Sequence, residues 1–222
     1  NPSVIKEYTF KKLQITDFSS LIGKADKVII SDNTYYFVID YKTGSTKFDS
    51  KYLDYGKGLQ LPIYALLCKN DEKFSDMTIG GLYINNIIDS KYDLNLKEDS
   101  LIKKHLKLNG VSLNDYDAVF SFDSSISGGV SEFISSVKAK DELLKASKAI
   151  INKDDFDKFA EIAKTKLVEA SIKIKNNEFD IRPFQDGNND KSLPCKYCDF
   201  RDICFLREYQ IFKPEPSEED DE

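Results

Sequence analysis

A chain of 222 residues suits one domain with a sizeable core, or one domain with a small appendage, and is too short for two full domains. With 41% hydrophobic and 32% charged residues it is not a disordered chain, and its longest apolar stretch, Leu59 to Cys68, is broken by Gln60 and Pro62 and is far too short to cross a bilayer. The formal charge of −6 does not exclude a nucleic-acid partner, because removing the five terminal acids from Glu218 to Glu222 leaves −1 for a body rich in Lys and Arg that can still segregate a positive face.

Taken in chain order, β-branched and aromatic residues from 4 to 15 predict a strand. Val28, Ile29 and Ile30 lead to the turn signal Ser31-Asp32-Asn33, and Tyr35 to Ile39 follow, which predicts a hairpin whose second strand ends at Asp40-Tyr41-Lys42. Tyr52, Tyr55, Leu59, Ile63, Leu66 and Leu67 recur at helical spacing over 52–69, with Pro62 a local irregularity. Residues 77–88 read as a further strand. Residues 98–108 and 131–151 read as helices around a Gly128-Gly129 loop, and 118–122 as a short strand. Asp154 or Asp155 is the expected N-cap of a long helix to about Lys175. A polar loop at 185–192 precedes a cysteine cluster at 193–206, and 213–222 reads as a disordered acidic tail.

The chemistry concentrates in Gly23-Lys24-Ala25-Asp26-Lys27 and Val38-Ile39-Asp40-Tyr41-Lys42. Asp26 opens one hairpin strand and Asp40 closes the other, so antiparallel pairing brings both carboxylates to one end of the sheet. Strand alternation directs Asp40 and Lys42 to one face. Asp26, Asp40 and the Tyr41 carbonyl suit Mg²⁺ or Mn²⁺, hard ions that prefer oxygen and keep several waters. Such an ion polarises a phosphoryl oxygen and acidifies water, while the Lys42 amine can orient that water or stabilise developing charge. Taken singly, Asp40 as a strand end, Lys42 as a surface residue and Tyr64 as core are ordinary; the ordered set is less so. The single histidine, His105, sits in Lys103-Lys104-His105-Leu106 without a nucleophile motif and reads as a solvated helix position. No repeat and no GxxxxGK[ST] phosphate loop occur, so the chain shows no ATP motor.

These residues resemble the PD-(D/E)xK nuclease superfamily, with Asp26, Asp40 and Lys42 at the matching positions. Gln60 and Tyr64 are similar to the Q-x-x-x-Y signature of its RecB-type branch and lie one helical turn apart. The resemblance implies an α/β, restriction-endonuclease-like core: a central mixed β-sheet flanked by helices, spanning residues 1–212. It implies catalytic roles for Asp26, Asp40, Lys42, Gln60 and Tyr64, with the last two beside the metal or the scissile phosphate.

Cys195, Cys198 and Cys204 have ligand spacing, and without a secretory signal clustered thiols read as metal ligands rather than cystines. Zinc and iron–sulfur centres both want a fourth ligand, and Cys68 reads as a buried apolar residue. The stretch from Leu193 to Phe205 is similar to the cysteine segment of AddB/RexB-type subunits, where three such cysteines join a distant upstream one around a [4Fe–4S] cluster. That resemblance implies a fragment of a longer subunit, with the upstream cysteine absent, so zinc or free thiols remain open. It further implies single-stranded DNA as substrate, an AddA/RexA-type helicase partner, exonuclease action in double-strand-break repair and a cytoplasmic location without a membrane partner. The rival expectation is a catalytically silent DNA-binding or subunit-docking module; a standalone exonuclease is a third.

Overall fold

The computed structural model describes residues 2–44, 46–87, 107–187, 189 and 192–214. The chain divides into two compact units, Asn1–Ser171 and Ile172–Glu222. In the first, β1 (Ser3–Thr9), β4 (Lys24–Ser31), β5 (Tyr35–Lys42), β6 (Thr78–Asn86), β7 (Asn109–Leu113) and β10 (Ile150–Ile151) form one mixed sheet in that order; β2 (Leu13–Thr16) pairs with β3 (Ser19–Leu21), and β8 (Ala139–Lys140) with β9 (Leu143–Leu144). Helices α1 (Gln60–Lys69), α2 (Tyr116–Phe122) and α3 (Lys153–Lys175) complete the expected α/β arrangement.

The hairpin of β4 and β5 follows from its turn. Asp32 and Asn33 take φ of 49° and 54°, the left-handed region that their short polar side chains tolerate and that a tight hairpin turn requires. Pairing then runs from Ser31↔Tyr35 to Lys27↔Ile39, and β5 continues in parallel register with β6 as far as Lys42↔Asn86. Alternation along β5 separates the two cores. Tyr36 and Val38 join Leu61, Tyr64 and Leu67 of α1 and Phe156 and Phe159 of α3, whereas Phe37 and Ile39 meet Val119 of α2, Tyr83 and Ile134. Asp40 lies on the α1 side of the same strand and continues the Tyr36–Val38 row.

Several expected elements differ. The run 4–15 is two strands in two sheets, because Phe10 turns into the core and its N–H donates to the Gly23 carbonyl at 3.0 Å. The run 52–69 is a short turn, Leu53–Tyr55, followed by α1; Gly56 and Gly58 at φ of 81° and 77° break the helical path. Pro62 falls in the first turn of α1, where its missing N–H costs nothing. Residues 118–122 are helical: Asp115 Oδ1 caps α2 by accepting from Asp117 N at 2.9 Å and Ala118 N at 3.2 Å. Residues 131–151 are not a helix despite good helix formers, since Ser136, Asp141 and Glu142 have positive φ and Ile134, Val137, Ala139 and Ala149 are drawn into the second core. The long helix begins at Lys153, so Asp155 lies inside its first turn and accepts from Asn152 N at 3.0 Å rather than acting as the N-cap. Residues 98–106, including His105, and most of the acidic tail lie outside the described residues.

Candidate active site and cysteine cluster

Asp40 is 3% exposed at the end of β5, and a buried carboxylate demands compensation. Gln60 Nε2 and the Tyr64 hydroxyl both donate to its Oδ1, at 2.6 and 2.9 Å. One helical turn of α1 therefore grips the carboxylate that the strand presents. Tyr64 OH also lies 3.2 Å from the Lys24 carbonyl, but it has one proton, and the shorter contact to a charged acceptor is the stronger. Burial, and then the Asp40 carboxylate, push the Tyr64 phenol above the ordinary tyrosine range, so it stays a donor.

The other oxygen, Oδ2, is different. Lys42 Nζ approaches it to 2.7 Å, at ion-pair distance but without hydrogen-bond geometry, and Oδ2 has no hydrogen-bond partner. Asp26 reaches the same place from β4: its Oδ2 accepts from Tyr41 N at 2.8 Å, which fixes the backbone next to Asp40. Asp26, Asp40, Tyr41 and Lys42 are thus brought together as the sequence predicts, and Gln60 and Tyr64 are turned onto Asp40.

Gly23 explains how α1 comes so near. A Cβ there would lie 2.3 Å from Leu67 Cδ1, so the absence of a side chain lets the helix seat against the entry to β4. No group of three His, Cys, Asp or Glu is gathered to hold a metal among the described residues. Two carboxylates, one with a buried oxygen that has no hydrogen-bond partner and only the Lys42 ammonium beside it, still fit an ion that keeps most of its waters.

The model of the PD-(D/E)XK nuclease superfamily matches residues 3–205. The chain belongs to the PD-(D/E)XK nuclease superfamily. Within this nuclease superfamily it is similar to proteins named as the B-type subunits of ATP-dependent helicase/deoxyribonucleases. The protein of Clostridium perfringens strain SM101 is 32% identical over 193 residues, 82% of this chain and 16% of the relative. That of Thermoanaerobacter sp. strain X514 is 27% identical over 216 residues, 90% and 18% of the two chains. That of Clostridium botulinum strain Loch Maree is 30% identical over 199 residues, 83% and 17%. The chain spans 16 to 19% of the length of the curated relatives it matches. These similarities support the resemblance to an AddB-type subunit with a PD-(D/E)xK domain.

In the second unit, Cys195, Cys198 and Cys204 line one cavity of about 290 Å³ together with Leu193, Arg201 and Phe205. Cys195 sits in a short turn, Pro194–Tyr197, Cys198 follows it directly, and Cys204 ends helix α4 (Arg201–Cys204). All three are free, and they surround the cavity without closing into a metal-holding group among the described residues. Cys68 is 1% exposed in the core of the first unit, where burial raises its thiol well above the ordinary range. It is the apolar core residue the sequence suggests. Sequence reasoning missed the pins that hold the segment after Lys42: Asn86 Oδ1 accepts from Thr46 N at 3.2 Å, and Asn109 Oδ1 from Phe48 N at 2.8 Å.

Proposed function

We propose that this chain is a nuclease domain that hydrolyses phosphodiester bonds of single-stranded DNA with Mg²⁺ or Mn²⁺, as an exonuclease within an AddB-type subunit. Its working context would be an ATP-dependent helicase–nuclease complex with an AddA/RexA-type helicase, processing double-strand breaks in the cytoplasm. No helix among the described residues is long and apolar enough to cross a membrane. The observation that supports this reading best is the buried Asp40 Oδ2, which has no hydrogen-bond partner, faces the Lys42 ammonium and lies next to the backbone that Asp26 holds.

Asp26, Asp40 and the Tyr41 carbonyl would hold the ion, which supplies polarisation of the phosphoryl oxygen and acidification of a bound water. Gln60 and Tyr64 fix the Asp40 carboxylate, so that Oδ2 keeps one direction and its partner Oδ1 is saturated. Lys42 directs its amine to the same oxygen and offers positive charge where a phosphorane accumulates negative charge. Cys195, Cys198 and Cys204 would bind a [4Fe–4S] cluster in the full-length subunit, or zinc in this chain; their shared cavity supports a common centre, and a fourth ligand would have to come from elsewhere.

The test is cleavage of an end-labelled single strand in Mg²⁺ by the wild type and by Lys42→Ala. The wild type should release product and Lys42→Ala should lose at least about a hundredfold in rate while keeping its fold. Product at the wild-type rate from Lys42→Ala would reject the role of Lys42. Binding without any product from the wild type would favour the silent DNA-binding module instead.

A further inference from the structure

Lys42 closes β5, and its ammonium lies 2.7 Å from Asp40 Oδ2 without hydrogen-bond geometry. A lysine amine is a point charge on a flexible stem, so such a contact attracts the amine without aiming it. Where the stem leaves the backbone then decides what the amine can reach. On the β4 side, strand pairing ends at Lys27↔Ile39, so the backbone at Lys42 is in register with β6 alone, opposite Asn86.

Asn86 and the residue after it grip the chain both before and after residues 43–45. Ile87 N donates to the Lys42 carbonyl at 2.8 Å. The Asn86 side chain then acts as one more rung of the ladder: its Nδ2 donates to the Thr46 carbonyl at 3.0 Å, and its Oδ1 accepts from Thr46 N at 3.2 Å. A side-chain amide has both a donor and an acceptor, so it can meet both peptide groups of one residue. Thr46 is exposed and water could satisfy those groups, so what the two bonds add is the course of the chain after Lys42 rather than relief of a buried polar group. The next pin lies further along: Asn109 Oδ1 accepts from Phe48 N at 2.8 Å, where the Phe48 ring packs on Phe159 at 5.7 Å.

We propose that Asn86 is a positioning residue for the reaction: by holding Thr46 beside β6 it fixes the chain leaving Lys42, and so keeps the Lys42 amine at Asp40 Oδ2. It takes no part in holding the ion, which is left to Asp26, Asp40 and the Tyr41 carbonyl. The inference rests on the nuclease reading, which supplies the reaction that Lys42 serves.

The experiment compares cleavage of an end-labelled single strand in Mg²⁺ by the 222-residue chain and by Asn86→Ala, with Mn²⁺ titration alongside. Asn86→Ala should lower kcat at least about tenfold and leave KM and Mn²⁺ affinity unchanged, since a small displacement of a reacting group costs rate rather than binding. Asn109→Ala, which frees Phe48 but leaves Thr46 pinned, should keep kcat within about twofold of wild type. In the Lys42→Ala background, followed at excess enzyme, Asn86→Ala should cost nothing further, because a residue that acts through Lys42 has nothing left to position. An unchanged kcat in Asn86→Ala overturns the proposal. So does an equal loss in Asn109→Ala, a parallel loss of Mn²⁺ affinity, or a loss of the same size in the Lys42→Ala background, each of which would mark Asn86 as a general support of the fold. Wild type that yields no product rejects the nuclease reading, and the proposal with it. Wild type that cuts while the Asn86 signature is missing rejects the proposal alone.

Discussion

At Asp40 the cost of burying a carboxylate is met unevenly. Oδ1 has two donors, and Oδ2 has a nearby amine and no hydrogen bond. Replacing Tyr64 by Phe removes one hydrogen bond to a charged acceptor and should lower unfolding stability by about 1.5–3 kcal/mol, read from urea denaturation. An unchanged midpoint would show that the Tyr64 hydroxyl contributes nothing to stability through its bond to Asp40. The convergence of Asp26, Asp40 and Lys42 was legible from antiparallel pairing and strand alternation, and the pairing of Gln60 with Tyr64 from the resemblance to the Q-x-x-x-Y signature. The directions of their polar atoms were not. Gln60 and Tyr64 turn onto Asp40, and Asp26 onto Tyr41 N–H, because these are local hydrogen-bond choices that spacing does not encode.

At the scale of elements, the hairpin was legible because Asp32-Asn33 states its turn chemistry outright. Residues 131–151 were not, and Asp123 shows why. This carboxylate is 2% exposed and accepts from Ser125 Oγ at 2.5 Å, Ser131 Oγ, Phe133 N at 3.1 Å and Ser125 N at 3.0 Å, tying the start of the segment to the end of α2. Such a network overrides helix propensity by satisfying the backbone in another way. Burial alone would raise the Asp123 carboxyl, but the hydrogen bonds from Ser125, Ser131 and Phe133 outweigh it and hold the group below its ordinary value. A depressed carboxyl contributes stability that is present above the unfolded pKa of about 4 and is lost as pH falls through the lower folded value. Asp123→Asn should therefore be less stable than wild type at pH 7, and the difference should shrink below about pH 4. Denaturation midpoints measured from about pH 7 to about pH 3 check this; a difference that does not narrow in acid would contradict it.

Across the whole molecule, the α/β class and mixed sheet followed from the resemblance to the nuclease superfamily, whereas the arrangement of the cysteines was not legible, because thiol spacing gives ligand potential and no geometry. The four thiols differ in surroundings. Cys68 is sealed in the core, Cys198 is exposed, and Cys195 and Cys204 are partly exposed around the shared cavity. In metal-free protein a thiol reagent should label three cysteines under native conditions and the fourth only in denaturant. Native labelling of Cys68 would show that the core under α1 opens readily.

The central claim is that Asp26 and Asp40 hold a divalent ion on this sheet. Electron paramagnetic resonance of free Mn²⁺ titrated with the protein tests it most directly. The account predicts that wild type depletes the free signal and that Asp26→Asn and Asp40→Asn each weaken binding at least about tenfold. Depletion by both variants equal to that of wild type would contradict it.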